Sequence, residues 1–401
     1  VSLPSSPPLS TRVLRLRLKD KHAAVLRAMA RDVNQVWNYC NDLGQQVLRR
    51  EGRFMSGFDF QKYLNGASKE GLLVGSAVFQ QVAEEFATRR RQFKKARLRW
   101  RVSDPKRANR SLGWIPFKAR SLRYKGGQVA FQGHLLSLWD SYGLAGHELG
   151  AGSISEDARG RWYLNVTVKV QPKAKPSPEG LKGAIGADLG LKSHMTDSSG
   201  TSVDAQRFYR DLEPKIASAQ RAGKKHRVRA LHAKVANRRK DFLHKLSTAQ
   251  ACGHAAVFVG NVNAASLAKT RLAKSVLDAG WSSYRTMLKY KCDDAGAWFA
   301  EVDESFSTQD CNVCGTRAGP KGRAGLAVRQ WTCPCCSTHH DRDVNAARNI
   351  LARGLVWLEK TFSAADSSST KSAAAVNKAP GPLGLGAAAG HGRPAVGIPV
   401  L

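Results

Sequence analysis

The segment "DCNVCGTRAGPKGRAGLAVRQWTCPCCSTHHDRDVNAARNI", Asp310 to Ile350, decides how this chain is read. Cys311 and Cys314 form one CxxC, and Cys333 and Cys336 form a second, 19 residues after Cys314. Each pair makes a tight turn that presents two thiolates to one side of a tetrahedron, and two such knuckles close a structural zinc site. The intervening stretch is Gly-rich and then strand-like, as a zinc ribbon requires. A four-thiolate site keeps no open coordination position, so this Zn²⁺ is expected to hold a fold and not to catalyse. Cys335 is a spare that competes with Cys336, and His339 and His340 are read as solvent or nucleic-acid contacts. Cys40, Cys252 and Cys292 are scattered singles, each expected to be a small buried apolar residue. Clustered cysteines in a chain without a secretion signal predict a metal site in a reducing cytosol, not a disulfide framework.

Charge names the class of partner. The 401 residues carry 64 Lys and Arg against 31 acids, a formal net charge of +33, while 42% of them are hydrophobic. A chain that buries real cores and is this basic repels itself unless a polyanion neutralises it, and nucleic acid is the default polyanion. No run of 18 apolar residues appears, so neither a spanning helix nor a membrane partner is expected.

Texture divides the chain. "STRVLRLRLKD" alternates as a strand does, residues 21–50 have helical spacing with Gly52 at the end, and a second helical pattern runs from Val74 to Trp100. Turn-punctuated strands follow, predicting an N-terminal helical recognition region with a β-barrel (wedge-like) element over residues 1–170. The Pro/Lys-rich "QPKAKPSPEG" opens a linker at 171–182. After it come a short strand "AIGADLGLK", basic helices, a buried strand "AAVFVG", a helix, and the strand "AWFAEVDES" before the cysteines. Residues 183–310 and 337–362 are taken as one α/β domain, with the ribbon at 311–336 inserted in it. The Ala, Gly, Ser and Pro-rich stretch 363–401 is read as a disordered tail.

Two acids stand where strands end or helices begin. Asp188 closes "AIGADLGLK", and Asp343 opens the helix of "HDRDVNAARNI", with Asn345 two residues on. Acids so placed, once brought together, suit hard cations such as Mg²⁺. Two such ions can hold the attacking and leaving oxygens of a phosphodiester. Taken singly, Asp343 reads equally well as a helix N-terminal acid and Asp188 as a turn residue.

The order "ADLGLK", basic helices, "TQDCNVCG", second knuckle, "DRDVNAARNIL" resembles the TnpB family of transposon-encoded RNA-guided nucleases and the related compact type V CRISPR effectors. The resemblance covers residues 183–355 by specific motifs and the N-terminal half only in general character. It implies a multi-domain α/β chain with a RuvC-like, RNase H-type domain and an inserted zinc ribbon. It further implies a guide RNA, a target DNA, prokaryotic cytosolic localisation, and Mg²⁺-dependent DNA cleavage with Asp188 as first metal-binding carboxylate and Asp343 as last. The family's middle acid ends the strand matching "AAVFVG", yet no acid lies between Val257 and Leu277 here. The nuclease is therefore either dead, leaving an RNA-guided DNA-binding repressor or targeting module, or its acid has moved. Some family members relocate it, and "AEVDES" offers three acids on a neighbouring strand. Glu304, where strand gives way to loop, is the first choice, Asp303 the second and Glu301 the third. Two-metal hydrolysis by Asp188, Glu304 and Asp343 is the expectation.

Between Lys215 and Lys245 eleven Lys/Arg face one acid, Asp241. Arg227, Arg229, Lys234, Arg238, Arg239 and Lys240 are therefore expected to contact phosphates without choosing sequence. The basic run Arg89 to Arg101, with Phe93 and Trp100 interleaved, is a candidate clamp or stacking platform.

Overall fold

The computed structural model describes residues 9–66, 71–179, 181–325 and 327–374. In the N-terminal region, strand β1 (Ser10–Arg17) leads into helix α1 (Ala23–Glu51), α2 (Gly57–Leu64) and α3 (Ser76–Phe93). Six strands follow: β2 (Trp114–Phe117), β3 (Arg123–Lys125), β4 (Gln128–Phe131), β5 (His134–Ser137), β6 (Leu149–Glu156) and β7 (Trp162–Val170). They pair as a four-stranded antiparallel sheet, β1-β7-β6-β2, and a three-stranded one, β3-β4-β5, linked by an isolated Leu18–Leu138 bridge. Period-two alternation is clean in β7, where Trp162, Leu164, Val166 and Val168 turn inward. Their core continues through Leu26, Val33 and Trp37 of α1 and Phe79, Val82 and Phe86 of α3.

Helix α3 is shorter than its apolar period suggests. It ends at Phe93, and Lys94 turns left-handed at φ 50°. Residues 98–101 then run extended along α1, where side-chain amides replace a strand's hydrogen bonds. Asn41 donates to the Leu98 carbonyl (2.9 Å) and accepts from its N–H (3.1 Å). Asn38 does the same for Arg101, at 2.9 and 2.8 Å. The Arg101 guanidinium lies 4.9 and 4.8 Å from the ring centres of Trp37 and Trp114. Arg90 is buried too, beneath Phe54. Two cations of the proposed clamp are thus packing residues, held by rings.

The linker stretch is packed against its neighbours: Lys175 pairs with Asp293 at 2.7 Å, and the Pro176 carbonyl accepts from Trp298. Next come β8 (Ala184–Leu189), β9 (Ser193–Asp197), β10 (Ser202–Asp204), α4 (Glu213–Arg221), α5 (Lys225–Gly253) and β11 (Ala256–Gly260). Short helices α6 (Ala264–Leu267) and α7 (Ala273–Ala279) lead to α8 (Trp281–Ala295) and β12 (Trp298–Val302). The mixed sheet has the order β10-β9-β8-β11-β12, antiparallel up to β8 and parallel from β8 through β11 to β12. All five residues of β11 are buried, as befits the middle of a parallel set. The cysteine-bearing segment that follows holds α9 (Gly322–Gly325), β13 (Gln330–Thr332) and β14 (His339–Asp341), the two strands pairing antiparallel.

Helix α10 (Arg342–Ala374) is the last element among the described residues. It lies on the sheet backbone to backbone, since a Cβ on Gly186 of β8 would collide with the Ala347 carbonyl and the Leu351 N–H. The helix continues past residue 362, where composition ended the domain, and residues 375–401 of the supposed tail lie outside the described residues. The compact unit ends at Gly354 and a second unit begins at Leu355. No helix among the described residues is long and apolar enough to cross a membrane.

Candidate metal centres and nucleic-acid interface

Parallel pairing brings three chain segments to one edge of the sheet. Ala187 of β8 lies beside Val259 of β11, and Gly260 beside Val302 of β12. Asp188, Gly260 and the loop after Val302 therefore meet at the carboxyl ends of the parallel strands, where α/β sheets present their ligand sites.

The three acids of "EVDE" part ways there. Glu301 is spoken for by Arg285, 3.2 Å away. Asp303 turns outward and accepts from the hydroxyl and N–H of Ser305, at 2.8 and 3.1 Å, which hold its carboxyl below the usual range. Glu304 turns inward. A Cβ built on Gly260 would lie 3.1 Å from the Glu304 Cβ and closer still to its Oε2. The Glu304 carboxylate thus fills the space that a side chain at the end of β11 would need. Burial raises its pKa, with Asp303 adding to the shift and Arg285 opposing it.

Asp343 sits at the start of α10, but Asp341 caps that helix. The Asp341 Oδ1 accepts the N–H groups of Asp343 and Val344, both at 3.0 Å. Asp343 lines a cleft of about 140 Å³ shared with Asp188, Lys192, Thr196 and Arg329. Burial, then the facing Asp343 and Glu304, push the Asp188 carboxyl up to about 8, against the pull of Arg342 and Arg329. Half-buried carboxylates that raise one another's pKa in this way favour a proton or a cation near them. All are hard oxygen donors, which fits Mg²⁺.

The four knuckle thiols Cys311, Cys314, Cys333 and Cys336 converge, their sulfurs all within 4.8 Å of one another. Cys311–Cys336 and Cys314–Cys333 are each 3.6 Å apart. The edge of a tetrahedron with Zn–S bonds of about 2.3 Å is about 3.8 Å, so the set is shaped for such an ion. Cys335 is exposed and outside the set. Both knuckles turn on a left-handed residue after their second cysteine, Gly315 (φ 75°) and Ser337 (φ 58°). Hydrogen bonds from Thr316 hold Cys314 down at about 6, ready to be thiolate near neutrality.

Expectation fails for one histidine. His340 is not a solvent contact: it is 3% exposed, packs 4.6 Å from the Trp331 ring, and brings Nε2 within 3.1 Å of Cys311 Sγ. The cysteine-bearing segment is also tied to α10. Asn345 accepts the Asn312 N–H at 3.0 Å, and Asn345 and Asn349 both donate to the Ser307 and Asp310 carbonyls.

Of the six cations proposed on α5, Arg227, Arg229, Lys234, Arg238 and Lys240 are exposed. Arg239 instead donates to the Leu277 carbonyl at 2.5 Å and approaches the buried Asp278 at 3.9 Å. It holds α7 in place. Sequence reasoning passed over Arg329 and Arg342, and took Gly260 and Asn261 only as the place of the missing acid. Only Gly260 left a signal, a glycine standing where an acid was expected.

Comparison with known proteins finds two family models that match separate stretches of the chain. Residues 165–271 match the OrfB_IS605 family, described as "Probable transposase", and residues 281–350 match the TNB domain of the Cas12f1-like family. The chain is 37% identical over 217 residues to a "Putative RNA-guided DNA endonuclease" of Streptomyces pristinaespiralis, covering 51% of this chain and 52% of that protein. It is 27% identical over 223 residues to "Putative RNA-guided DNA endonuclease InsQ" of Escherichia coli (strain K12), covering 49% and 54%. It is 23% identical over 230 residues to TnpB-like protein L79 of Acanthamoeba polyphaga mimivirus, covering 51% and 43%. The chain thus spans about half the length of these relatives. A solved Cas12f1–sgRNA–target DNA complex aligns with 85% of this chain and 99% of its own, at 16% identity and a TM-score of 0.34.

Proposed function

We infer, from this chain's homology to the TnpB and Cas12f-like RNA-guided nucleases and to the IS605 transposase domains, that it is a Mg²⁺-dependent endonuclease cutting guide-matched DNA. One observation carries the activity: the Glu304 carboxylate fills the space over Gly260, at the strand end where the homologous acid is missing. On this reading Asp188, Glu304 and Asp343 hold the metal, and the sheet order of three antiparallel and two parallel strands supports a RuvC-like, RNase H-type domain. When bound, paired divalent ions supply Lewis acidity to the phosphodiester and to its attacking and leaving oxygens.

The chain's own residues position and exclude. β8 and α10 fix Asp188 and Asp343, while Asn261, accepting from the Glu304 N–H at 3.3 Å, sets the turn that aims Glu304 inward. Arg285 occupies Glu301 and so keeps that acid out of the centre. The thiols would hold structural Zn²⁺, and the exposed cations of α5 would meet phosphates of guide RNA or target DNA. A cytosolic setting follows from that pairing of partners.

The test is cleavage of a guide-matched plasmid by the copurified protein–RNA complex with Mg²⁺, wild type beside Glu304→Gln and Asp188→Asn. Wild type should cut, and both variants should bind the target without cutting. If wild type binds and never cuts, the chain is an RNA-guided DNA-binding protein and the endonuclease reading is wrong.

A further inference from the structure

One cation at the acidic centre comes from the segment between the two cysteine knuckles. Arg329 Nη1 lies 3.1 Å from each carboxylate oxygen of Asp343. The contact is held by backbone, since the Arg329 carbonyl accepts from the Arg342 N–H at 2.7 Å and Arg342 Nη1 donates to the Gly325 carbonyl at 3.0 Å. The stretch before β13 is therefore pinned to the first turn of α10. Its guanidinium lines the same cleft as Asp188 and Asp343.

We propose that Arg329 is a resident counter-ion: it takes the charge position of a divalent cation at Asp343 and must let go before a metal can seat there. The inference rests on the metal-site reading of Asp188, Glu304 and Asp343. One guanidinium nitrogen straddles both Asp343 oxygens, leaving neither with its full set of lone pairs for a metal. A divalent ion on that carboxylate would also stand a few ångströms from a fixed positive charge, and the two repel. Exchange follows, and Arg329 is long, 41% exposed in its side chain and able to swing outward. Because the arginine belongs to the ribbon, metal occupancy and ribbon position are coupled in both directions. Metal loading removes one of the ties on the segment before β13 and so loosens it, and anything that draws that segment away raises metal affinity.

The experiment is Mn²⁺ binding to the full chain by titration calorimetry, without RNA or DNA, for wild type, Arg329→Gln, Arg329→Lys and Asp188→Asn. Hydrogen–deuterium exchange is followed over residues 327–332, and zinc content confirms that each ribbon is intact. Arg329→Gln should bind Mn²⁺ about 3- to 10-fold tighter, the range for losing a partly exposed competing pair. Arg329→Lys should fall between the two, and Mn²⁺ should speed exchange at 327–332 in wild type. Equal or weaker Mn²⁺ binding by a zinc-replete Arg329→Gln, with binding abolished in Asp188→Asn, overturns the counter-ion role and leaves the metal centre standing. Undiminished binding in Asp188→Asn means the ion sits elsewhere, which removes the metal-centre reading and this one with it.

Discussion

Gly260→Ala is the sharpest perturbation of the proposed centre, because it adds one methyl and changes no charge. The new Cβ would stand 3.1 Å from the Glu304 Cβ, 3.3 Å from Ile350 Cδ1, and well inside contact with Glu304 Oε2. Carbon and carboxylate oxygen settle at about 3.3 Å or more, so the carboxylate must retreat by about 1 Å. Misplacement on that scale costs about 10²-fold where reacting groups are held in a working geometry. Overpacking of this kind costs about 1–3 kcal/mol, so the variant should fold and its melting temperature should drop modestly. Single-turnover cleavage of a guide-matched duplex, with target binding measured in parallel, reads the effect. We expect a loss of about 100-fold in rate with affinity nearly intact. Adding Gly260→Glu to Glu304→Gly, which returns the acid to the end of β11, should recover part of the activity lost in Glu304→Gly alone. Wild-type cleavage by Gly260→Ala would refute the reasoning, since the carboxylate over that glycine would then have no part in the reaction.

Further outcomes follow from the same geometry. Asp188 titrates near 8 when folded against an ordinary 3.8, so the native state holds its proton between those values. Its contribution to stability is then full below about pH 4 and lost as pH rises through about 8. Melting curves without divalent ions should show Asp188→Asn gaining on wild type from pH 4 to pH 8, with added Mg²⁺ closing the gap; a constant difference would contradict it. Chelation of the thiol cluster, or Cys314→Ser, should release one metal per chain and raise amide exchange in residues 307–312, which hang on Asn345 and Asn349. Alanine at Arg227, Arg229, Lys234 or Arg238 should each lower the salt slope of nucleic-acid binding by about 0.7–0.9, whereas Arg239→Ala should leave the slope and reduce the melting temperature.

The four-cysteine cluster was legible because its information is local: two CxxC turns bring their thiolates together almost regardless of context. Continuous apolar runs such as "AVFVG" likewise announce a strand buried on both faces. The extended run 98–101 was hidden because its hydrogen bonds come from amides on α1, 57 to 63 residues away, and no periodicity in "RLRW" records them. Arg101 and His340 read as surface residues because their types usually are. Only the rings that converge on them, Trp37 with Trp114 and Trp331, make them interior. Among "EVDE" the place where strand gives way to loop ranked Glu304 first, and in the structure Arg285 and Ser305 engage the two other acids. Arg329 carried no signal, since it meets Asp343 only through the fold.

The close approach at Gly186 has a consequence for how the molecule responds to heat. Side-chain contacts loosen gradually on warming as rotamers begin to exchange, but main chain against main chain has no such slack. Gly186 stands two residues before Asp188, and Ala347, whose carbonyl it faces, one turn after Asp343. The spacing of these two acids is therefore set by peptide planes in van der Waals contact, and it should persist unchanged until the sheet and α10 separate together. An activity–temperature profile governed by this ruler would climb and then break off at the cooperative transition, with no long decline before it. Substitutions that stabilise the chain far from the centre would then carry the working range upward with them.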